Sequence, residues 1–173
     1  MGCGEIVRYL ARHGASRVEH VALIALSLSF LLKTPDNPEG EERAMLESFR
    51  TAVASDFPKW LSENARPFFV PEPSQTTLDW GINLCLQSSL KAVLYCNRVD
   101  AETDYRADLS KLSVPTLIIH GDRDVSTPLE RTGLSTARLI AGSELIVYEG
   151  APHGLMLTHV DCLDAHLLSF VRS

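Results

Sequence analysis

Two polar loops in the C-terminal half of the chain each carry a side chain suited to proton transfer. Asp124 ends the stretch HGDRD (120–124), and His153 lies in the stretch APHG (151–154); each stretch follows an apolar run. In open parallel sheets, reactive groups gather beyond the carboxyl ends of the strands. The interval between the two loops has room for one helix and one strand. We therefore expect the Asp124 carboxylate and the His153 imidazole to face each other.

Such a pair performs general-base chemistry. A carboxylate on one ring nitrogen holds the imidazole in one tautomer and stabilises the imidazolium that forms when the other nitrogen takes a proton. The base typically activates a serine in a Gly-x-Ser-x-Gly turn between a strand and a helix. No such motif occurs in the 173 residues, which open with Met1-Gly2-Cys3-Gly4 directly before a helical pattern. A serine placed before Met1 would make Gly2 the closing glycine of that turn.

Other residues near these loops and near the start of the chain are alternative candidates for chemical roles. Asp122 competes with Asp124 as the acid, although a turn hydrogen bond is the role that we expect for it. His120, at the end of a strand, is expected to be structural and to support the acid loop. Cys3 would serve as a nucleophile only if the turn were shifted, and Gly2-x-Gly4 lacks the preceding strand and the full spacing of a dinucleotide loop.

Two further groups of residues have competing interpretations. His159 and His166 lack the i, i+4 spacing of a helical metal pair, so no metal site is expected. Four aromatic residues of the middle region fit either an acyl pocket or the packing of helices, and packing is the favoured interpretation. These four residues are Trp60, Phe68, Phe69 and Trp80.

The hydrophobic periodicity alternates between the helical and the strand pattern. Predicted helices cover Cys3–His13, Glu41–Phe57, Thr76–Asn97, Pro128–Ile140 and Asp161–Val171, and predicted strands lie within Val18–Leu26, Val114–His120 and Ser143–Tyr148. Between the second and third helices lies a stretch that we expect to be irregular, because it is marked by Pro58, Pro67, Pro71 and Pro73. Strands that alternate with helices predict an α/β fold with a parallel sheet.

Composition excludes several classes of protein. The net charge of −6 and the absence of a Lys/Arg cluster argue against a nucleic-acid partner. No apolar run reaches the roughly 18 residues of a membrane-spanning helix, so no membrane partner is expected. The four cysteines lack metal-binding or redox spacing and are expected to be reduced. The acidic charge and unpaired cysteines favour a cytoplasmic location.

The sequence resembles the α/β-hydrolase superfamily, and within it the cofactor-free haloperoxidase and arylesterase branch. The stretches that carry the resemblance are MGCGEIVRYLARHG, PTLIIHGDRDVSTP and YEGAPHGL. The resemblance implies Asp124 as the catalytic acid, His153 as the base, and the backbone N–H of Met1 as an oxyanion donor. It also implies a chain that is N-terminally truncated before or at the nucleophile turn, and it implies no cofactor.

The implied fold is the C-terminal part of an α/β-hydrolase, with three parallel strands, helices and an inserted helical cap. Residues 1–33 and 109–173 would form the partial core, and residues 34–108 the cap. The implied function is serine-type hydrolysis of small carboxylic esters, with peracid formation as a side activity, and this chain is expected to be inactive alone. The alternative is a non-catalytic fragment or half-domain that needs an N-terminal partner. A homo-oligomer is a further arrangement that we consider.

Overall fold

A parallel β-sheet forms the centre of the fold in the computed structural model, which describes residues 1–69 and 73–173. Within these ranges the sheet has three strands in the order β1-β2-β3. Both neighbouring pairs are parallel, with Leu23 opposite Ile118 and Ile119 opposite Ile146. The strands are β1 (Val21–Ile24), β2 (Thr116–Gly121) and β3 (Glu144–Tyr148). The predicted α/β fold with parallel strands is confirmed.

The central strand, β2, is buried along its whole length. Its apolar side chains alternate between the two faces of the sheet, as the two-residue period of a strand requires. Ile118 belongs to one apolar cluster, together with Leu23 and Val7, while Ile119 belongs to a second cluster, together with Leu163. A strand that is covered on both faces explains why the sequence shows a continuous aliphatic run rather than alternation.

Nine α-helices surround the sheet in the described part of the chain. They are α1 (Gly2–His13), α2 (Arg43–Ser55), α3 (Phe57–Asn64), α4 (Gln75–Leu86), α5 (Leu90–Glu102), α6 (Arg106–Leu109), α7 (Gly133–Leu139), α8 (Leu155–Thr158) and α9 (Val160–Phe170), with a 3₁₀ turn at Arg66–Phe69. None of these helices has both the length and the apolar character needed to cross a bilayer.

The region between β1 and β2 is helical, and side-chain caps start three of its helices. Asp56 accepts a hydrogen bond from the Lys59 N–H at the start of α3, and Ser74 and Ser89 cap α4 and α5 in the same way. Each cap satisfies one of the N–H groups that a helix start leaves without an intrahelical partner. The division into a core and a cap at residues 33 and 109 remains a prediction.

The structure corrects the predicted helices in this region. The helical segment expected over Thr76–Asn97 is present as two helices, because the first ends at Leu86 and Ser89 caps a new one. The stretch expected to be irregular is largely helical, since Pro58 lies in the first turn of α3, where the missing N–H costs no hydrogen bond. Pro71 of that stretch lies outside the described residues.

In the rest of the chain, the start of α7 differs most from prediction. Strand β1 lies within its predicted range and covers Val21–Ile24, the part that pairs with β2. The helix expected from Pro128 begins only at Gly133, and residues 129–132 before it form a turn. In α9, Leu163 is buried against the core, whereas Leu168 and Val171, the residue after the helix, are exposed.

Candidate active site

The carboxyl ends of β2 and β3 bring the two polar loops together. Gly121 ends β2, and a Cβ atom at this position would lie 2.1 Å from the carbonyl oxygen of Ala151. The loops also share backbone hydrogen bonds, from Arg123 N–H to Ala151 and from Asp122 N–H to Tyr148. Only glycine permits this approach, so Gly121 fixes the distance between the acid loop and the histidine loop.

Asp124 and His153 form a direct hydrogen bond. His153 Nδ1 lies 2.7 Å from Asp124 Oδ2, and the aspartate side chain is fully shielded while the histidine side chain is 24% exposed. The prediction that these two side chains meet is confirmed. With Nδ1–H donated to the carboxylate, Nε2 is the ring nitrogen left available for proton exchange.

The Asp124 carboxylate receives several other hydrogen bonds. Oδ1 accepts the backbone N–H groups of Ser126 and Thr127 at 2.9 and 2.8 Å, and Oδ2 accepts the Thr127 hydroxyl at 2.9 Å. Burial raises the pKa of Asp124, but hydrogen bonds from His120 and His153, the charge of His153 and the Thr127 N–H outweigh it. The pKa of this carboxyl is therefore held far below its usual value, and the group stays ionised.

His120 supports the acid loop from inside the core. Its ring is fully buried, and Nε2 lies 2.7 Å from the carbonyl oxygen of Thr127 and 3.4 Å from Asp124 Oδ2. The Nε2 proton is therefore shared between these two acceptors, with the Thr127 carbonyl the nearer and the carboxylate the more distant. This arrangement agrees with the structural role predicted for His120.

Asp122 has the turn contact that the sequence suggests. Its Oδ1 accepts the backbone N–H of Gly150 at 2.7 Å, and its side chain is exposed. Gly150 has φ +73°, a conformation that L side chains rarely adopt. Asp122 therefore stabilises the turn that leads to His153, while Asp124 contacts the imidazole itself.

Met1 and Cys3 lie at the start of α1. The Met1 carbonyl accepts the N–H of Gly4, and its amino group lies 3.8 Å from Asp100 Oδ1. The oxyanion role of Met1 stays a prediction. Burial raises the pKa of the Cys3 thiol, and Cys3 Sγ lies 3.9 Å from the carbonyl oxygen of Ile24. A raised pKa disfavours the thiolate, so the alternative of Cys3 as a nucleophile gains no support.

The aromatic residues of the middle region line one cavity of about 320 Å³. Its wall includes all four predicted members, Trp60, Phe68, Phe69 and Trp80. Phe68 also touches the histidine loop: its ring centroid lies 5.3 Å from that of His153, and its carbonyl oxygen accepts the N–H of Gly154. The same rings pack against each other, with 4.8 Å between the centroids of Phe68 and Phe69. The two interpretations of these residues are therefore compatible.

Thr127 is a site residue that the sequence analysis missed. Its hydroxyl oxygen lies 2.9 Å from Asp124 Oδ2 and 3.1 Å from His153 Nδ1. A hydroxyl three residues after an aspartate in a turn is the signal that would have identified it. Among the described residues, no group of three or more His, Cys, Asp or Glu side chains is arranged to hold a metal ion.

Comparisons with known sequences agree with this geometry. The α/β-hydrolase family model described as TAP-like protein matches residues 84–173, more than half of the chain. A putative non-heme chloroperoxidase of Synechocystis sp. is 36% identical over 99% of this chain and 64% of its own length. A bifunctional esterase/perhydrolase of Acinetobacter calcoaceticus is 29% identical, again over 99% of this chain and 64% of its own length. The chain thus spans slightly less than two thirds of these curated relatives.

Solved structures show the same fold. The bromoperoxidase of Bacillus anthracis superimposes with a TM-score of 0.94 at 34% identity, covering all of this chain and 65% of that one. An esterase of Exiguobacterium antarcticum superimposes with a TM-score of 0.91 at 28% identity, covering 98% of this chain and 63% of its own. Family match, related sequences and fold all agree, and the chain belongs to the α/β-hydrolase superfamily.

Proposed function

We propose that this chain supplies the acid and the base of a serine-type hydrolase that acts on small carboxylic esters. The observation that carries the proposal is the 2.7 Å hydrogen bond between His153 Nδ1 and the shielded Asp124 carboxylate. His153 Nε2 takes the proton of a serine hydroxyl as the serine attacks the ester carbonyl, and then delivers that proton to the leaving alcohol. Water, deprotonated by His153 Nε2, then attacks the acyl-serine, and the acid product leaves as the serine takes the proton back.

Two other groups complete this scheme. The backbone N–H of Met1, at the N-terminal end of α1, is proposed as one oxyanion donor. Residues 1–173 contain no Gly-x-Ser-x-Gly sequence, so we assign the nucleophile to a polypeptide segment other than these residues. The residues considered alone are then expected to be inactive, since loss of the nucleophile of a serine triad costs roughly a factor of 10⁶ in rate.

The aromatic cavity supports a small apolar ester as the substrate. It measures about 320 Å³, is walled mainly by aromatic and aliphatic side chains, and adjoins His153 through Phe68. An apolar wall binds an acyl or aryl group by removing its surface from water. Peracid formation is proposed as a side reaction of the same site, in line with the perhydrolase name of the Acinetobacter relative.

A reconstitution experiment tests the hydrolase proposal. Purified residues 1–173 are incubated with a small aryl ester, alone and together with the part of the Acinetobacter esterase/perhydrolase that this chain does not match. We expect no hydrolysis above the buffer rate from the chain alone, and hydrolysis from the mixture. His153→Ala should then lower the rate by a factor on the order of 10⁶, and Asp124→Asn by on the order of 10⁴.

His13→Ala is the matched control, because His13 is an exposed histidine at the end of α1. Hydrolysis by the mixture that survives in the His153→Ala variant would contradict the acid–base role. Hydrolysis by residues 1–173 alone would contradict the assignment of the nucleophile to another segment.

A second candidate function is a non-catalytic half-domain that docks with an N-terminal partner. Strand β1 lies at one edge of the sheet and pairs on one side with β2, while its other side has no strand partner among the described residues. Such an edge is a template for pairing with another strand. Sedimentation of the chain alone tests this alternative: a homo-oligomer would favour self-pairing, and a monomer would favour a different partner.

A further inference from the structure

We propose that Thr127 is a positioning residue for the acid–base pair: its hydroxyl holds the Asp124 carboxylate in the orientation that presents Oδ2 to His153. This inference rests on the proposed function, because it assigns a role within the same site. Thr127 itself transfers no proton to a reactant. It acts through the carboxylate, which in turn acts through the imidazole.

Atoms of Thr127, Asp124 and His153 form a compact triangle. Thr127 Oγ1 lies 2.9 Å from Asp124 Oδ2 and 3.1 Å from His153 Nδ1, while Oδ2 and Nδ1 are 2.7 Å apart. The Thr127 hydroxyl donates to Oδ2, because the ionised carboxylate is acceptor-only. A lone pair of the same hydroxyl oxygen then faces the N–H at Nδ1. The hydroxyl is therefore complementary both to an ionised carboxylate and to a proton on Nδ1.

The backbone of Thr127 leaves this hydroxyl little freedom. The Thr127 N–H donates to Asp124 Oδ1 at 2.8 Å, and the Thr127 carbonyl accepts hydrogen bonds from His120 Nε2 and from the Thr132 hydroxyl. The residue as a whole is only 8% exposed. Thr127 thus reaches Asp124 from both its backbone and its side chain, and it is anchored to the buried ring of His120 on the other side.

The Thr127 hydroxyl fixes the position of Asp124 Oδ2, which the backbone hydrogen bonds do not. The N–H groups of Ser126 and Thr127 both bind Oδ1, so they leave the position of Oδ2 free to change by rotation of the carboxylate. The Asp124 side chain is fully shielded, so removing the hydroxyl would leave Oδ2 with fewer donors in a site shielded from solvent. Without this donor, the carboxylate should bind protons more readily and hold Nδ1–H less firmly.

Nuclear magnetic resonance of the full chain tests the proposal. Thr127→Val removes the hydroxyl at nearly constant shape, and Thr127→Ser keeps it. Two signals are followed: the low-field proton on His153 Nδ1, assigned with ¹⁵N-labelled histidine, and the ¹³C carboxyl shift of Asp124 against pH. In Thr127→Val we expect the Nδ1 proton signal to broaden or be lost, and the Asp124 titration to move to higher pH. Thr127→Ser should retain both wild-type signals.

Thr136→Val is the matched control. Thr136 is fully buried in α7, and its hydroxyl has no hydrogen-bond partner among the described residues. Unchanged signals in folded Thr127→Val would overturn the proposal, as would the same change in Thr136→Val, which would indicate a general effect of packing. If Thr127→Val does not fold, loss of the Nδ1 proton in Thr127→Ser would overturn it, and retention would support it.

The two proposals fail in distinguishable ways. The magnetic resonance signals require no substrate and no nucleophile, so they report on positioning alone. The ester-hydrolysis assay reports on the acid–base role. If the reconstituted mixture hydrolyses the ester equally well with His153→Ala, the hydrolase proposal is contradicted. The Thr127 signals would still show whether this hydroxyl orients the carboxylate.

Discussion

Two opposing effects act on the ionisation of Asp124: burial favours the neutral acid, and hydrogen bonds favour the ionised carboxylate. Its side chain is fully shielded, yet donors from the loop and from two histidines keep the pKa of the carboxyl far below its ordinary value. A buried charge persists only where such donors satisfy it. The same donors also fix the orientation of the carboxylate, so they set both the ionisation of Asp124 and the tautomer of His153.

This environment predicts how stability depends on pH. Because the pKa of Asp124 is lower in the folded chain than in the unfolded chain, the ionised carboxylate stabilises the fold fully above about pH 4. That contribution is lost as the pH falls through the folded-state pKa. Asp124→Asn should therefore lower the free energy of unfolding by about 2–3 kcal/mol at pH 7. The difference from wild type should shrink steadily below pH 4, as measured by urea unfolding at several pH values.

The control for this measurement is Asp122→Asn. Asp122 is exposed and receives one backbone N–H, from Gly150, so its replacement should cost about 1 kcal/mol or less. A stability difference between wild type and Asp124→Asn that stays constant from pH 7 to pH 2 would contradict the lowered pKa of Asp124.

At the scale of the elements, the site depends on the close contact between two loops that follow adjacent strands. The register between β2 and β3 places Gly121 opposite Tyr148, so both loops leave the sheet at the same level. Backbone hydrogen bonds then join the loops over the next few residues. The position of the acid relative to the base is therefore set by strand register and by the absence of a side chain at Gly121.

Gly121→Ala should separate the two loops. The added Cβ would meet the backbone of Ala151 at 2.1–2.6 Å, and a backbone neighbour cannot turn aside as a flexible side chain does. We expect a loss of about 1–3 kcal/mol in unfolding free energy, together with weakening of the low-field His153 proton signal. Thermal denaturation and proton spectra measure these two effects.

Gly2→Ala provides the comparison, because a Cβ at Gly2 meets no atom within 4 Å and the residue lies in the first turn of α1. Alanine favours helix relative to glycine, so stability should be unchanged or slightly higher. Wild-type stability and an unaltered His153 signal in Gly121→Ala would show that the loops are not held by this contact.

At the scale of the whole molecule, the sheet and the helical region between β1 and β2 are joined by more than the chain connections. Within this region, backbone hydrogen bonds from the Leu32 N–H to Ala101 and from the Tyr105 N–H to Ser29 tie the later helices to the segment that follows β1. Tyr105, directly before α6, and Leu109, at the end of α6, are buried in the same apolar cluster as Leu23 of β1. These shared contacts predict that the two regions unfold together.

Leu23→Ala tests that coupling. Leu23 is fully buried, so its truncation should cost about 2–5 kcal/mol. Both tryptophans, Trp60 and Trp80, lie in the helical region, so fluorescence follows that region while circular dichroism follows the whole chain. We expect the two midpoints to fall together, as one cooperative transition requires.

Leu168→Ala is the matched control, since this α9 side chain is about half exposed and its loss should change stability by no more than about 0.5 kcal/mol. A fluorescence midpoint that stays at its wild-type value in Leu23→Ala, while the dichroism midpoint falls, would indicate that the helical region folds independently of the sheet.

The local pattern of the sequence was enough to predict the parallel strands and the meeting of Asp124 with His153. Buried strands in α/β folds are short continuous aliphatic runs, and polar residues that follow such runs lie at one edge of the sheet. Both signals depend only on residue order. The same reasoning identified His120 as a structural residue and Asp122 as a turn residue, because each lies next to the strand or turn that it stabilises.

Tertiary structure decided the features that depend on contacts between distant segments. The break at Ser89, the late start of α7 at Gly133 and the length of β1 follow from caps, turns and strand pairing, which local periodicity does not encode. The bridging hydroxyl of Thr127 and the contact of Phe68 with His153 required the loops to be in place first. Residue order thus determined which groups meet at the sheet edge, and packing in three dimensions determined their distances, their partners and their protonation.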